Sequence, residues 1–210
     1  MQERRRFRRE GEERRREALI AATLDLVAAG GVAAATVRAI AERAGVTPGL
    51  IRHYFTSKED LIGAAYRSLM DSMTAANAGV LDAAPDDPRA RLAAFVAAAL
   101  RPPVVDGRAM GLWAGFIHKV QSDSAMREIH EATYLAFRDR LEGLIGAALP
   151  VALPPGGLRA RAIACNAVVD GLWLEGSALP ETFGPDELAR IGLHAVGAIL
   201  DLELALPAPD

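Results

Sequence analysis

Two short helical patterns joined by a glycine, between residues 36 and 54, restrict the fold of this chain more than any other feature. Thr36 is a good N-cap for the first pattern, because its hydroxyl accepts a bond from an amide at the open helix start. Gly45 follows that pattern and tolerates the left-handed backbone on which helices commonly end. Thr47 caps the second pattern, and Pro48 takes its first helical position, where the missing N–H costs nothing. The spacing predicts two short helices joined by a tight turn.

The apolar residues of this stretch are few, and they form one wedge between the two helices. They are Ile40, Ala41, Ala44, Val46 and Ile51. The alanines let the helices approach closely, which is the geometry of a helix-turn-helix. In that geometry the second helix enters the major groove of DNA, and its outward side chains meet base edges and phosphates. The stretch therefore predicts a DNA-binding element.

Composition favours helices in the rest of the chain. Hydrophobic residues make up 51% and aromatic residues 5%, alanine and leucine are abundant, and β-branched runs are scarce. Helical periodicity broken by glycine and proline predicts an all-α fold of about nine helices. We expect a disordered basic arm over 1–12 and a three-helix helix-turn-helix DNA-binding domain over 13–73. A helical ligand-binding and dimerisation domain over 74–204 and a disordered tail over 205–210 complete the expected organisation.

Charge is distributed unevenly along the sequence. Residues 1–58 carry 12 Lys and Arg against 7 Asp and Glu, a net +5, whereas the remainder carries 12 against 20, a net −8. A basic front end on an acidic body is expected when only one end meets phosphate. A solvated, charged N-terminal helix would give the same count, so charge alone leaves both interpretations open.

Several other classes of protein are disfavoured. No apolar stretch is expected to reach the roughly 18 residues without charge that cross a membrane, and the N-terminus lacks the apolar core of a secretory signal. The single cysteine, Cys165, cannot form an internal disulfide. Because we find no phosphate-binding glycine loop, serine-nucleophile elbow or zinc motif, we expect no enzyme activity, no cofactor and no metal. A cytoplasmic location fits these features.

One long run of residues resembles the DNA-binding motif of the TetR family of repressors. It is TVRAIAERAGVTPGLIRHYFTSKEDL, residues 36–61, and its matching positions follow in order without a gap. The resemblance covers about residues 13–73 by motif and the rest by helix count and length. It implies a repressor that reads DNA with the second short helix. The residues that it assigns to DNA contact are Thr36, Thr47, Pro48, Gly49, Arg52, His53, Tyr54 and Lys58.

The resemblance also implies different tasks for these residues. Thr36 and Lys58 would bind phosphates, and His53 and Tyr54 would lie against the DNA backbone. Arg52 is the expected base reader, since a guanidinium can donate two bonds to a guanine edge. The arginine-rich arm would add phosphate or minor-groove contacts, or would serve only solubility, because glutamates interrupt it.

Two shorter segments resemble BetI-type regulators, in which the effector is choline. They are VVDGLWLEGSAL, residues 168–179, and MGLWAGF, residues 110–116. An aromatic wall with a carboxylate is a common way to hold a quaternary ammonium group, and Asp170 and Trp173 share a helix face. The candidate effector-binding residues are Trp113, Phe116, Tyr134, Asp170 and Trp173. The alternative is that both tryptophans are core residues and Asp170 pairs locally.

The last two predicted helices carry small or apolar residues at helical spacing. These residues are Cys165, Val168, Leu172, Leu188, Ile191, Ala195 and Ile199. They would pack against the same helices of a second subunit, as in the family, or only within one chain. A homodimer would set two recognition helices about one duplex turn apart on a palindromic operator.

The sequence thus predicts a DNA-binding repressor that a small-molecule effector releases from its operator, with choline or a related quaternary amine as a candidate. One alternative is a constitutive DNA-binding protein without an effector. Another is a regulator that responds to an unrelated hydrophobic small molecule.

Overall fold

The chain is described here from a computed structural model, which covers the backbone of residues 2–207 and the side chains of 11–75, 77, 79–154 and 156–207. Over those residues it forms nine α-helices, one short 3₁₀ turn and no strand, as the sequence predicts. The first five helices are α1 (Gln2–Ala34), α2 (Val37–Arg43), α3 (Pro48–Tyr54), α4 (Lys58–Ala83) and α5 (Pro88–Ala99). The others are α6 (Gly107–Ser122), α7 (Ser124–Ala148), α8 (Pro155–Ala178) and α9 (Glu187–Leu200).

Helix α1 begins earlier than the sequence suggested. It starts at Gln2, so the segment 2–12, expected to be a disordered arm, is helical. Arginine and glutamate are both good helix formers, and they make up most of this segment. The helix is interrupted at Gly30-Gly31, because both glycines leave the helical backbone and Gly31 has a φ of 70°.

One segment of α1 differs from the expectation that no stretch is long and apolar enough to cross a membrane. The segment Gly11–Ala34 is long and apolar enough to cross a membrane by length and composition alone, a criterion that core helices of soluble proteins also meet. Leu19, Ala22 and Val27 on this helix are buried inside the protein. These three residues of the apolar segment therefore belong to the core of the protein.

The described residues form two compact units that interleave along the sequence. The first unit runs to Leu69 and also contains Gly111–His130; the second contains Met70–Met110 and the described residues from Glu131 onward. The expected division at residues 73 and 74 lies close to the first of these breaks. The return of α6 and the start of α7 to the first unit differs from the continuous domains that we expected.

Aromatic packing explains why α6 and α7 join the first unit. Tyr66 on α4 is fully buried, and its ring lies 5.0 Å from that of Phe116 on α6. The Tyr66 hydroxyl lies 2.7 Å from Nδ1 of His130 on α7 and forms a hydrogen bond with it. One residue of α4 thereby holds both of the returning helices.

In the second unit, helices approach closely through glycines. A Cβ at Gly192 of α9 would collide with Leu100, and one at Gly176 of α8 would collide with Leu188. The rings of Phe95 on α5 and Phe137 on α7 stack with centroids 4.9 Å apart. The close contact at Gly176 positions α8, the helix that carries Asp170 and Trp173.

Helix α9 ends at Leu200, four residues before the predicted end. Asp201 adopts a left-handed conformation with a φ of 56°, and the Leu202 N–H donates to the Gly197 carbonyl over 2.9 Å. Residues 202–207 continue without helix. The predicted disordered tail overlaps this segment at 205–207, and its remainder, 208–210, lies outside the described residues.

Candidate DNA interface and effector cluster

The start and end of α2 follow from two residues. The Thr36 hydroxyl accepts a bond from the Ala39 N–H over 3.2 Å, which makes it the predicted N-cap. Gly45 comes just after the helix with a φ of 65°, in the left-handed region that glycine tolerates best. The Val46 N–H then donates to the Ala41 carbonyl over 2.9 Å and closes the turn. These contacts set where α3 begins.

The wedge between α2 and α3 is packed as predicted. Ile40, Ala41 and Ile51 are each at most 3% exposed. Thr47 precedes α3 in extended conformation, and Pro48 is the first helical residue, although the Thr47 side chain makes no capping bond. Since one face of α3 is held by Ile51, its other face is left to solvent.

The predicted DNA-contacting residues all lie in the first unit, at the accessible surface. Thr36, Thr47, Pro48, Gly49, Arg52 and His53 are exposed, and Tyr54 and Lys58 are half-buried. The His53 and Tyr54 rings meet edge to face, with centroids 5.1 Å apart. The next residue, Phe55, is buried. The end of α3 thus carries two accessible aromatic rings and is followed by a buried one.

The start of α4 is capped by a variant of the capping box, in which a serine and an acidic residue three positions later bond to each other's backbone. The Asp60 N–H donates to the Ser57 hydroxyl over 3.0 Å. The Asp60 carboxylate, however, accepts from the N–H and the hydroxyl of Thr56, one residue before Ser57. The shorter side chain of aspartate fits this earlier partner. The box holds the first turn of α4, where Lys58 lies.

This geometry defines a helix-turn-helix DNA-binding protein. The comparison with known families agrees: residues 19–65 match bacterial regulatory proteins of the tetR family. Residues 88–201 match the C-terminal domain of the BetI-type transcriptional repressors. The chain belongs to the TetR family of transcriptional regulators, with a C-terminal domain of the BetI type. Proteins of these families are regulators rather than enzymes.

Individual relatives span nearly the whole chain. An HTH-type transcriptional regulator BetI from Burkholderia thailandensis is 34% identical over 91% of this chain and 94% of its own. One of the same name from Ectopseudomonas mendocina is 35% identical over 90% and 93%. A crystal structure of a transcriptional regulator from Pseudomonas aeruginosa PAO1 matches with a TM-score of 0.80 and 31% identity, over 90% and 91% of the two chains.

The candidate effector residues are divided between the two units. Trp113 and Phe116 lie in the first unit, whereas Tyr134, Asp170 and Trp173 lie in the second. Phe116 is fully buried against Tyr66, so it is a core residue of the first unit. Trp113 is half-buried.

Trp173 is tied into the second unit. It is 8% exposed, and its indole N–H donates to the carbonyl of Val104 over 2.9 Å. This bond fixes the ring against the segment between α5 and α6. The alternative in which this tryptophan is a core residue agrees with that position.

Tyr134 and Asp170 come together with a residue that sequence reasoning missed. The Tyr134 hydroxyl donates to Asp170 Oδ2 over 2.6 Å, and Asn166 Nδ2 lies 2.8 Å from the same oxygen. Asn166 Nδ2 also lies 2.7 Å from the Tyr134 hydroxyl. The signal was available in the sequence, because Asn166 precedes Asp170 by four residues and therefore lies on the same helix face. We call Tyr134, Asn166 and Asp170 the polar cluster.

Burial and charge both act on the polar cluster. Burial, and next the hydrogen bond to Asp170, raise the pKa of Tyr134 to about 12. Asn166 is 3% exposed, and its Oδ1 atom has no hydrogen-bond partner among the described residues. The cluster therefore places a carboxylate and an unmatched buried acceptor on α8, beside an aromatic ring from α7.

A cavity of about 770 Å³ lies elsewhere in the second unit. The end of α4, the helix α5, residues 101–104 and the segment 203–207 line it, mainly with alanine, proline, valine and leucine side chains. Its volume is in the range of small-molecule sites. The residues that were predicted to bind the effector do not line it.

Alkaline titration should reveal the two buried tyrosines. Burial raises the pKa of Tyr66 from 10.0 to about 12, as it does that of Tyr134 together with the bond to Asp170. The folded protein then keeps these protons at a pH where the unfolded chain has lost them. Their contribution to stability is complete below pH 10 and is lost as the pH rises towards 12. Ultraviolet absorbance should show Tyr66 and Tyr134 ionising late, together with unfolding.

A Tyr134→Phe variant serves as the control for this titration. It removes the phenol but keeps the ring, so one late-ionising group should disappear while Tyr66 still titrates late. Ionisation of both tyrosines at the ordinary pH, while circular dichroism still reports a native fold, contradicts the prediction.

Proposed function

We propose that this TetR-family regulator represses its target genes in the cytoplasm by binding a palindromic operator as a homodimer. A small organic cation, of the choline type, releases it. The outward face of α3 supports the first part, because Pro48, Gly49 and Arg52 are exposed on a helix whose other face is packed through Ile51. The polar cluster supports the second part, because it places a carboxylate beside an aromatic ring.

The exposed surface of α8 supports a homodimer. Its exposed small and apolar residues alternate at spacings of four and three, which is the heptad pattern of helices that pair lengthwise. These residues are Ala160, Ala164, Ala167, Gly171, Leu174 and Ala178, and we call them the α8 stripe. Leu174 is 48% exposed, although leucine gains from burial. A second copy of α8 would cover the stripe.

The dimer face that we predicted from the sequence differs in part from the α8 stripe. Cys165 and Leu188, which we expected there, are buried inside the chain. Both sides of α8 are apolar, and helical spacing alone does not tell which side faces α9. Ile191 on α9, which we also expected there, is exposed, and so is Ile163 on α8, which we did not expect.

Charges beside the α8 stripe favour an antiparallel pair. Arg161 lies in the second turn of α8 and Glu175 in the last turn. Both charges oppose the helix dipole, which favours acidic groups at the start and basic groups at the end. In an antiparallel pair, Arg161 of one protomer meets Glu175 of the partner subunit, twice by symmetry. The partner helix thereby compensates both unfavourable placements.

A cation at the polar cluster would act on DNA binding through α4. That helix begins directly after α3 and contributes residues to both units. An effector that binds better to one position of α4 shifts the equilibrium towards that position, by its differential affinity. The recognition helices of the dimer would then no longer match the spacing of the operator.

The 770 Å³ cavity favours a second candidate effector, a neutral apolar molecule. Most of its lining residues are aliphatic, which suits burial of an apolar ligand, and the charged residues among them are of both signs: Asp87, Arg89, Arg101 and Glu203. Ala94 of α5 lines this cavity and is remote in sequence from the polar cluster. The two sites can therefore be altered separately.

A thermal-melt screen with two variants tests these assignments. The protein is melted with choline, related quaternary amines and a set of neutral apolar compounds, and each hit is retested for release of operator DNA. A ligand at about 100 times its Kd stabilises the fold by about 2.7 kcal/mol. Asp170→Asn keeps the shape of the polar cluster but removes its charge, whereas Ala94→Phe fills the cavity.

We expect the amines to shift the melt, and Asp170→Asn to weaken their binding at least about tenfold, a loss of about 1.4 kcal/mol. Ala94→Phe should leave the response to amines unchanged. If apolar compounds act instead and Ala94→Phe alone abolishes their effect, the cation assignment is wrong and the cavity is the effector site. If no compound changes operator affinity, the protein binds DNA constitutively.

A further inference from the structure

Arg16 of α1 contacts Phe55, the residue that follows α3, which is the proposed recognition helix. Its guanidinium carbon lies 5.1 Å from the centre of the Phe55 ring, a cation–π contact. Arg16 is exposed and Phe55 is 3% exposed, so the ring is a buried platform and the guanidinium lies on its outer side. The contact joins two segments that are 39 positions apart in the sequence.

Both sides of this contact are rigid. The Phe55 N–H donates to the Ile51 carbonyl over 2.9 Å and so closes the last turn of α3. One turn along α1 from Arg16, Leu19 is fully buried, and its carbonyl accepts a bond from the buried Thr23 hydroxyl over 2.8 Å. The position of the Arg16 side chain relative to α3 is therefore set before any ligand arrives.

Glu13 and Glu17 flank Arg16 on α1, whereas the groups beside Phe55 are basic or aromatic. Phe55 directly follows His53 and Tyr54, and Lys58 begins the next helix. Asp60, an acidic residue of that helix, has its carboxylate engaged by Thr56. With one face on the ring, a guanidinium keeps its N–H groups at the edge, where they can grip a phosphate with two bonds.

We propose that Arg16 is a pre-positioned phosphate-binding residue, which contacts the DNA backbone beside the C-terminal end of α3. The inference rests on the proposed DNA interface and adds to it a residue from a different helix. It also separates Arg16 from the other arginines of α1: Arg14 and Arg15 are exposed on the same helix, but the contact with Phe55 belongs to Arg16. Arg16 then contributes a fixed contact, whereas its neighbours contribute only diffuse charge.

Operator binding by Arg16→Ala, measured over a range of salt concentrations, tests the inference. Each phosphate contact that is lost should lower the slope of log affinity against log salt by about one per subunit. Affinity at low salt should fall about tenfold. Arg15→Ala removes the same charge from the next position and is the matched control, for which we expect less than half of either effect. Arg16→Lys should restore part of the slope, since the charge remains but the planar fork is lost.

The outcomes separate a DNA contact from a structural one. If Arg16→Ala lowers the melting temperature but leaves the salt slope unchanged, the cation–π contact serves only the fold and the inference is wrong. Equal effects of Arg15→Ala and Arg16→Ala would also overturn it, because they would indicate diffuse charge. Arg52→Ala in the same assay reports on the recognition helix, so failure of the DNA interface as a whole is recognised separately.

Discussion

An Ala167→Glu variant is expected to be a folded monomer that binds the operator about 10²–10⁴-fold more weakly than the parent protein. Ala167 lies in the middle of the α8 stripe and is exposed within one chain, so glutamate, a good helix former, is tolerated there before assembly. In the proposed dimer the same position is covered. Each subunit would then bury a carboxylate among apolar side chains, and an unpaired buried charge is strongly unfavourable.

The loss of operator affinity follows from the loss of the second recognition helix. A dimer binds its second half-site as an intramolecular step, and a monomer lacks this advantage. Sedimentation equilibrium measures the association, and binding to a full operator is compared with binding to one half-site. Ala136→Glu places the same charge on an exposed position of α7 and is the control, expected to remain dimeric. An Ala167→Glu protein that still sediments as a dimer shows that the α8 stripe is not the interface.

Charge reversal adds a test of the antiparallel orientation within the same experiment. Arg161→Glu and Glu175→Arg should each weaken the dimer, because each brings like charges together across the pair. The double variant should recover most of the association, since the pairs form again with exchanged signs. Rescue requires that the two residues meet, so its absence would rule out the antiparallel arrangement even if α8 lies in the interface.

The DNA-binding element could be predicted from the sequence because its geometry is local. Thr36 caps α2, Gly45 takes the left-handed position, and Ile51 closes the wedge, all within the range of a few turns. Glycine and capping residues act on the backbone next to them, so their identity alone indicates the structure. The residues proposed for DNA contact accordingly lie at the surface, which a DNA-contacting role requires.

The interleaving of the two units could not be predicted in this way. It depends on Tyr66, whose ring meets Phe116 and whose hydroxyl meets His130, at separations of about fifty or more positions. Helical periodicity tells which face of a helix is apolar but not which other helix covers it. The same reason explains why Phe116 was expected in an effector site and lies in the core of the first unit.

The polar cluster could be predicted only in part. Asn166 and Asp170 are polar residues four positions apart on a largely apolar helix, a pattern that can be read in the sequence. Their third member, Tyr134, comes from α7, and only the structure assigns it to them rather than to another helix. The sequence therefore reveals the two members of the cluster on α8, but not the third member on α7.

Arg52→Ala should cost about 1–3 kcal/mol of binding free energy for each half-site, or about 5–150-fold in affinity, and should relax the preference for one base pair. Arg52 is exposed on α3, and the packed Ile51 next to it fixes the helix from which it extends. A base contact is worth more at the right base than at the wrong one, so its removal lowers the affinity for the operator more than that for unrelated DNA. Binding to operator variants with single substitutions measures this loss of preference.

Two further substitutions distinguish base reading from general attraction. Lys58→Ala, at the start of α4, should weaken binding to all sequences alike and reduce the salt dependence, as expected for a phosphate contact. Arg43→Ala removes an arginine from α2 whose guanidinium lies 3.5 Å from the Asp25 carboxylate and is half exposed, and should change affinity by less than about 0.5 kcal/mol. If Arg52→Ala behaves like Lys58→Ala, with uniform weakening and an unchanged base preference, then Arg52 binds the backbone. The specificity of this regulator must in that case come from other exposed residues in or next to α3, namely Thr47, Pro48, Gly49 and His53.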